Sequence, residues 1–498
     1  MTLRCTDILD REQLQQLQKA ITRERWFGSK TRQLENVDFY DCAFGMPGDN
    51  LFIPAILRFT FSDGGTELYH VPIAISENSE NENNSWLTFS KEGKKYSVGD
   101  ALGHAGYIRS WLEAAKHGGR IGFISGRVEF ETTPEFEQLN IDLNDEINPM
   151  GREQSNSSFL IGRRAVYKSF RKLNSGVNPD FEVPRFVAER SKRKIVPAPL
   201  VYCRYVGGGE YSLGCLSEFV ENEGDCWSYL TSRIASLVGE GASTPDSEMA
   251  GAVEELAAVT SDLHNTLSAG TGKADFEPEP ITEQDIGLWM SEFESVRADA
   301  LATLRAAMPL PDGETSILAG KVAALYAEGS RRAGDMRDAI ASLLKGRKYK
   351  IRIHGDYHLG QVLKSGKSFI VIDFEGEPMR SLEERRKRHC ALRDVSGMLR
   401  SIDYAFSYAA MAEGKDASAV AEMSLLCQKI FIDAYWKNYS PVCEYLPDTG
   451  SEAARAIGFF MLEKAYYELS YELNNRPGWA GIPLNAILSN AEAGTGNC

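Results

Sequence analysis

Two short segments carry the strongest signal in this chain: Ile353-His354-Gly355-Asp356-Tyr357-His358-Leu359-Gly360-Gln361, and then Val371-Ile372-Asp373-Phe374-Glu375. An aspartate follows a histidine, an amide side chain comes five residues later, and a second aspartate ends a short apolar run. In phosphoryl transfer, one carboxylate orients a hydroxyl and accepts its proton, while oxygen ligands hold Mg²⁺ against the ATP phosphates. The spacing therefore predicts an ATP-dependent kinase.

Each polar residue of these segments has an expected role. Asp356 is the predicted catalytic base, which would orient the attacking hydroxyl toward the γ-phosphorus. Gln361 and Asp373 are the predicted Mg²⁺ ligands, because this cation prefers oxygen atoms and takes few of them from protein. His354 is expected to support the catalytic loop by hydrogen bonding. For His358 two interpretations remain open, since it could face the sugar or pack locally.

A second group of residues is predicted to bind ATP. Lys168 ends a β-type run, and Glu182 follows it on a probable helix, which is the arrangement of a strand lysine held by a helix glutamate. In isolation, Lys168 could equally be a solvated side chain. The polar segment before this strand could cover the phosphates with its main-chain N–H groups, and the strand end at 218–220 could bind adenine. The residues concerned are Gln154, Ser155, Asn156, Ser157, Ser158, Glu218 and Val220.

Composition limits the classes of function. The chain has 498 residues, of which 43% are hydrophobic and 25% charged, and a chain of this length requires two or three domains. The net charge of -15 argues against a nucleic-acid-binding surface. The first residues lack the apolar core of a signal peptide, and no apolar run reaches the ~18–20 residues that span a bilayer. We therefore expect a cytoplasmic protein that binds neither nucleic acid nor membrane.

The cysteines do not form a recognisable pattern. None has the spacing of a Cys-x-x-Cys pair or of a zinc site, and we expect free thiols in a reducing compartment. The nine positions are Cys5, Cys42, Cys203, Cys215, Cys226, Cys390, Cys427, Cys443 and Cys498.

The patterning along the chain changes from strands to helices after residue 221. Runs such as Ala55–Phe61 and 68–75 contain alternating or continuous apolar residues, which predicts strands. The second half of the chain shows mainly helical periodicity. A strand pair at 348–353 and 369–374 is predicted to flank the catalytic segment. Helices are predicted over 10–25, 101–116, 226–237, 249–267, 283–308, 316–344, 418–436 and 453–475.

These patterns predict an α+β, bilobal fold like that of eukaryotic protein kinases. The expected parts are an N-terminal cap subdomain over residues 1–100 and an intermediate subdomain over 101–220 that completes the β-rich N-terminal lobe. The mostly α-helical C-terminal lobe would cover 221–498 and would carry the catalytic and sugar-binding residues.

One helix near the C-terminus has the composition of a sugar-binding surface. Tyr467 and Tyr471 are four residues apart and share a face, Glu468 and Glu472 lie beside them, and Arg476 follows. Aromatic rings stack on the apolar faces of sugars, and carboxylates accept hydrogen bonds from hydroxyls, which fits a disaccharide. An aromatic stripe of this kind also occurs in ordinary helix cores.

The chain resembles the maltokinase family, whose fold is similar to that of aminoglycoside phosphotransferases and protein kinases. The most specific matching segments are HGDYHLGQVL (354–363), DFEGEP (373–378), ERR (384–386), LRDVSGMLRSIDYA (392–405) and YELSYELNNRPGW (467–479). Further matches are RWFGSK (25–30), EQSNSS (153–158), KSFRKL (168–173) and NPDFE (178–182). Gln361 stands where protein kinases have asparagine, which lengthens the metal-ligand arm by one methylene.

The resemblance implies ATP- and Mg²⁺-dependent phosphorylation of maltose at its anomeric hydroxyl, giving maltose 1-phosphate for α-1,4-glucan synthesis. It implies trehalose synthase and maltosyltransferase as functional partners, and we expect a monomer. The substrate-binding residues that it implies are His358, Glu375, Arg380, Asp403, Tyr467, Glu468, Tyr471, Glu472 and Arg476.

Two alternatives remain open. One is the same chemistry on another acceptor, such as glucosamine, glucose or an aminoglycoside. The other is a kinase-shaped binding protein without catalysis, acting as a partner of glucan enzymes. The presence of Lys168, Glu182, Asp356, Gln361 and Asp373 argues against the second alternative.

Overall fold

The computed structural model describes most of the chain. The described residues are 9–43, 45–46, 50–77, 85–91, 93–151, 155–270, 272–310, 312–327, 332–377, 380–415 and 418–492. They form two compact units: residues 1–188 with 197–220, and residues 189–196 with 221–498. No helix of the described ranges has the length and apolar character needed to cross a membrane.

The first unit is rich in strands. Its helices are α1 (Arg11–Ile21), α2 (Ala105–Lys116), α3 (Pro134–Leu139) and α4 (Pro179–Arg190). Its strands are β1 (Leu34–Cys42), β2 (Leu51–Ile53), β3 (Ala55–Phe61), β4 (Thr66–His70), β5 (Ile73–Glu77), β6 (Leu87–Lys91), β7 (Lys94–Asp100), β8 (Arg120–Gly122), β9 (Arg127–Thr132), β10 (Ile147–Pro149), β11 (Asn156–Ile161), β12 (Ala165–Phe170), β13 (Lys172–Leu173), β14 (Pro199–Val206) and β15 (Glu210–Glu218).

These strands form three antiparallel sheets. The largest has seven strands in the order β10-β11-β12-β15-β14-β9-β8, and two four-stranded sheets have the orders β1-β3-β4-β13 and β2-β5-β7-β6. The predicted single strand over 68–75 is wrong, because the chain forms β4 and β5 there with Pro72 between them. Proline has no N–H to donate to a ladder, so it separates the two strands.

One hydrophobic cluster joins the two predicted subdomains of this unit. It contains Phe52 and Ile56 from the first hundred residues together with Trp111, Tyr167 and Leu216 from the following segment. Strand β13 also completes a sheet with β1, β3 and β4. The division into a cap at 1–100 and an intermediate subdomain at 101–220 stays a prediction.

The second unit is mostly helical. Its helices are α5 (Cys226–Gly239), α6 (Ser247–Leu267), α7 (Glu283–Ala307), α8 (Gly313–Ala327), α9 (Arg332–Ala341), α10 (Leu382–Arg385), α11 (Leu392–Ala412), α12 (Ser418–Lys437), α13 (Gly450–Asn475) and α14 (Gly481–Glu492). Four short strands, β16 (Glu279–Pro280), β17 (Tyr349–Lys350), β18 (Val362–Ser365) and β19 (Ser368–Val371), form two antiparallel pairs. The predicted α+β class, with strands first and helices second, is confirmed.

Three sequence-based expectations about local structure are wrong. The segments 348–353 and 369–374 do not pair with each other, because β17 pairs with β16 and β19 pairs with β18 across a tight turn. The predicted helix over 316–344 is α8, α9 and a 3₁₀ turn at Ser342–Leu344. Among the described cysteines, six are free thiols and Cys42 is disulfide-bonded, while Cys5 and Cys498 lie outside the described residues. Pairing depends on proximity in space, which cysteine spacing does not reveal.

Candidate active site

His354 orders the loop that carries the predicted base. Its ring is buried, and Nε2 lies 3.0 Å from the carbonyl oxygen of Ile372. Because a carbonyl can only accept, Nε2 donates and Nδ1 is free to accept from the main-chain N–H of Asp356, at 3.4 Å. Both ring nitrogens are therefore used to hold loop backbone, which supports a positioning role for His354.

Asp394, near the start of α11, anchors the same loop from the other side. Its Oδ2 accepts from the N–H of His354 at 2.7 Å, and its Oδ1 accepts from the N–H of Gly355 at 3.0 Å. His264 Nε2 lies 3.2 Å from Oδ2. Burial alone would raise the pKa of Asp394, but hydrogen bonding and charge from His264 and the loop amide of Gly355 hold it below its usual value. Asp394 lies in a motif that the sequence singled out, yet it received no role there.

A glycine lets α11 approach the loop closely. A Cβ on Gly397 would lie 2.6 Å from the main-chain oxygen of Tyr357, which is closer than real Cβ contacts allow. The Tyr357 hydroxyl is 2.9 Å from Thr260 Oγ1 on α6, so the ring is fixed as well. The backbone around Asp356 is therefore held by helices on both sides.

Asp356 has a lysine partner that the sequence analysis missed. Lys464 Nζ, on α13, lies 3.1 Å from Asp356 Oδ1 and 3.4 Å from Glu377 Oε1. No other described residue forms a hydrogen bond with the Asp356 carboxylate, so Oδ2 can accept from a hydroxyl. Lys464 precedes Tyr467 and Glu468 by three and four residues on one helix face, and this spacing could have indicated it.

The predicted metal ligands lie together at the open end of a hairpin. β18 begins one residue after Gln361, β19 ends two residues before Asp373, and the N–H of Ile372 donates to the carbonyl of Gln361 at 2.9 Å. Gln361 Nε2 is 2.8 Å from Asp373 Oδ2. Asp373 has φ +63°, in the left-handed region that non-glycine residues rarely adopt.

This pair fits Mg²⁺ better than it fits a structural metal. Both side chains offer oxygen atoms, and Mg²⁺ takes one or two protein ligands and completes its shell with phosphates and water. The described part of the chain contains no group of three His, Cys, Asp or Glu side chains that could enclose a metal.

His358 is used locally in this structure. Its Nδ1 accepts from the N–H of Gly360 at 3.1 Å and caps the 3₁₀ turn Leu359–Gln361. Burial lowers its pKa, the charges of Lys464 and His354 lower it further, and Asp356 and Asp373 oppose this. The His358 ring therefore makes a local hydrogen bond through Nδ1, and its contact with a sugar stays a prediction.

A small cavity of about 40 Å³ lies against the base. Its lining includes Asp356, Glu377, Arg380, Lys464 and Tyr467. Arg380 Nε is 2.8 Å from Glu377 Oε2. Burial would raise the pKa of Glu377, but the charges of Lys464, Arg393 and Arg380 outweigh it and lower the pKa to about 2. Of the predicted substrate residues, Arg380 and Tyr467 are thus brought next to the base.

The other predicted substrate residues do not line this cavity. Glu375 lies next to the hairpin, where its main-chain oxygen accepts from Arg385 at 3.0 Å. The others lie where α11 packs against α13. Asp403 and Glu468 both bind Arg400. Glu472 accepts hydrogen bonds from the Tyr404 hydroxyl and from Arg476, and Arg476 also contacts the exposed ring of Tyr471. Their carboxylates are already paired within the protein, and contact with a sugar stays a prediction.

The predicted phosphate-binding residues lie on a hairpin of the first unit. Ser158 on β11 is opposite Lys168 on β12. Arg171 Nε donates to Ser157 Oγ at 2.9 Å, Asn156 is buried and Ser155 is exposed. Gln154 lies outside the described residues.

Lys168 pairs with a carboxylate of α4. Its Nζ is 2.9 Å from Asp180 Oδ2, and both side chains are largely buried. Asp180 was not predicted; it lies two residues before Glu182 in the first turn of the same helix. A strand lysine held by a helix carboxylate is therefore present, with Asp180 as the observed partner and the role of Glu182 still a prediction.

The predicted adenine-binding segment follows β15. Glu218 ends that strand, its N–H donates to the carbonyl of Ala198 at 2.8 Å, and the next N–H, of Phe219, donates to Arg164. Val220 is the last residue of the first unit. Because the N–H groups of residues 218 and 219 are already used, adenine recognition would depend on other groups of this segment.

The fold and loop define a kinase-like α+β protein, and the comparisons support that class. A solved glucosamine kinase in complex with glucosamine, ADP and inorganic phosphate matches with a TM-score of 0.64 and 16% identity, over 98% of this chain and 99% of that one. A second glucosamine kinase crystal form gives 0.64 and 17%, over 95% and 99%. At this identity the match shows a shared fold.

Sequence comparison also finds relatives that are named glucosamine kinases. A glucosamine kinase of Mycolicibacterium smegmatis is 25% identical over 349 residues, which is 70% of this chain and 80% of the relative. One of Streptacidiphilus jiangxiensis is 25% identical over 288 residues, covering 57% of this chain and 60% of the relative. No family model matches the chain.

Proposed function

We propose that this chain is an ATP-dependent sugar kinase with Asp356 as its catalytic base. The observation that carries the proposal is the arrangement of the loop: Asp356 has a carboxylate oxygen free for a hydroxyl, and Gln361 and Asp373 lie together on the adjoining hairpin. The glucosamine kinases among its relatives and structural matches support the same reaction class.

In the proposed mechanism the protein acts through position and charge. Asp356 Oδ2 accepts a hydrogen bond from the acceptor hydroxyl and aims its oxygen at the γ-phosphorus. Asp394 and His354 keep the loop in place during this step. Lys168 binds the ATP phosphates, and its pairing with Asp180 pre-orients the ammonium group. Gln361 and Asp373 would hold Mg²⁺, which supplies neutralisation of phosphate charge.

We propose maltose as the acceptor, with maltose 1-phosphate as product. The motif segments 373–378, 392–405 and 467–479, which resemble maltokinases, support this choice. So does the position of Tyr467, which lies next to Asp356. A role in α-1,4-glucan synthesis, with trehalose synthase or maltosyltransferase as partners, follows from the same proposal.

Glucosamine is the second candidate acceptor. The observation that favours it is the name carried by both curated relatives, which are 25% identical to this chain. A neutral disaccharide and an amino sugar differ in size and charge, so a direct comparison separates them.

The deciding experiment is ³¹P and ¹H NMR of the purified protein with ATP, Mg²⁺ and one sugar at a time: maltose, glucosamine, glucose and trehalose. A phosphorylated anomeric carbon that appears with maltose supports the proposal. Turnover of glucosamine alone would retain the kinase proposal and replace maltose by glucosamine as the acceptor. Absence of turnover with every sugar contradicts the kinase proposal.

A further inference from the structure

The ammonium group of Lys464 lies beside the proposed catalytic base and is held there by two carboxylates. Nζ is 3.1 Å from Asp356 Oδ1 and 3.4 Å from Glu377 Oε1, and it lies 4.6 Å from the centre of the Tyr467 ring. Lys464 lines the same cavity as Asp356. A fixed positive charge therefore lies next to the position that the reacting sugar would occupy.

The acidic side chains of this cavity are already paired. Four carboxylates line it, and each has a partner that contributes a cation or main-chain N–H groups. The pairs are Asp356 with Lys464, Glu377 with Arg380 and Lys464, Glu463 with Arg393, and Asp394 with the amides of His354 and Gly355. A second ammonium group entering this cavity would therefore find each of these carboxylates already beside a cation or main-chain N–H groups, with Oδ2 of Asp356 left to accept.

Lys464 keeps its charge over the whole working range of pH. Burial on its own would lower the pKa of this amine, but the charges of Asp356 and Glu377 raise it well above its usual value. Burial would lower the pKa of the neighbouring Arg380, but the charges of Glu377 and Glu292 raise it. The charge of Lys464 is thus constant while the charge of a substrate can change, and among the lining acids burial raises the pKa of Glu463.

We propose that Lys464 restricts the acceptor to uncharged sugars and makes this protein discriminate against amino sugars. The inference rests on the proposed kinase function and deepens it by naming the acceptor class. A sugar hydroxyl can accept a hydrogen bond from the Lys464 ammonium and donate one to Asp356. A protonated amine can only donate, so at Asp356 Oδ2 it would lie beside the like charge of Lys464 and could accept no hydrogen bond from it.

The wild-type protein tests this directly with two sugars of equal size. Glucose and glucosamine differ by a hydroxyl in place of an ammonium group, and kcat/KM is measured for both, and for maltose, over a pH series. We expect glucose to be favoured over glucosamine by about tenfold or more at low pH, and the ratio to fall as glucosamine loses its proton. Equal kcat/KM for both at low pH, or a preference for glucosamine, overturns the inference.

Variants separate the charge of residue 464 from its shape. K464M removes the ammonium group and should bring the glucose-to-glucosamine ratio toward one, whereas K464R should retain the discrimination. K429M is the matched control, because Lys429 is an exposed residue of α12 paired with Asp433, and it should leave the ratio unchanged. An unchanged glucose-to-glucosamine ratio in a folded K464M overturns this inference and leaves the kinase proposal standing. If K464M does not fold, the pH series of the wild-type protein decides. If the wild-type protein phosphorylates no sugar, both the kinase proposal and this inference fail.

Discussion

The main-chain nitrogen of His354 lies 2.7 Å from Oδ2 of Asp394, and this bond joins the catalytic loop to a buried helix. The same carboxylate accepts from the N–H of Gly355 through its other oxygen. A single acidic side chain on α11 therefore sets the conformation of the two residues that precede Asp356.

Replacing Asp394 by asparagine should lower kcat with little change in the KM for ATP. Asparagine has the same shape but presents an NH₂ group where one of the two loop N–H groups needs an acceptor. We expect kcat to fall by about tenfold to a hundredfold, because small displacements of a catalytic group have effects of that size. D433N, at an exposed residue of α12, serves as the control, and equal kcat for D394N and wild type would refute the anchoring role.

Gly397→Ala should move the catalytic loop. The added Cβ would lie 2.6 Å from the Tyr357 carbonyl oxygen, so either the loop or α11 must shift. We expect a loss of about 1–3 kcal/mol in the free energy of unfolding and a lower kcat, measured by denaturant titration and initial rates. G458A in α13, where a Cβ meets nothing within 4 Å, is the matched control. Tolerance of both substitutions alike would mean that the close approach is unimportant.

Asp356→Asn should abolish most turnover while ATP still binds. The amide cannot accept the proton of the acceptor hydroxyl, and general-base catalysis contributes about 10²–10⁴-fold. Rates by coupled assay and ATP binding by calorimetry give the two quantities. Parallel loss of turnover and ATP affinity would contradict the assignment of Asp356 as base.

Lys168→Met should raise the KM for ATP. The KM for the sugar and the fold should change little. The ammonium group is largely buried and paired with Asp180, which presents it in one orientation. K172M is the control, since Lys172 is a half-exposed neighbour paired with Glu67. We expect K168M to weaken ATP binding by about tenfold or more, as loss of a charged hydrogen bond does, and similar KM values for both variants would exclude the ATP role.

Glu377 should make stability depend on pH under acidic conditions. Its pKa is lowered from 4.5 to about 2 by Lys464, Arg393 and Arg380 against the effect of burial. A carboxyl whose folded pKa is depressed stabilises the fold above its unfolded pKa and loses that contribution as pH falls through the folded value. The free energy of unfolding should therefore decrease between about pH 4.5 and pH 2, and E377Q should show a smaller decrease over that interval.

The sequence predicted the fold class because strand and helix patterns change at one point of the chain, and it located the loop because Asp356, Gln361 and Asp373 are close in sequence. The spacing on α13 could have indicated Lys464 as a member of the Tyr467 face, but not its contact with Asp356, since a contact over 108 residues depends on packing. Helix α11 was missed although its segment has helical periodicity. The sequence could not show that Asp394, Gly397 and Arg400 within it are buried. The contact between Lys168 and Asp180 was not predicted, because two carboxylates in one helical turn cannot be told apart by their spacing, and the role of Glu182 stays a prediction.

The shared interior of the first unit bears on how the chain can be shortened. Phe52 and Ile56 pack in the same cluster as Tyr167, one residue before Lys168, and β4 pairs with β13 just beyond it. Removing the first hundred residues to simplify crystallisation or expression would thus expose the underside of the strand that presents Lys168. Truncations intended to isolate the catalytic machinery need to retain this segment from the outset.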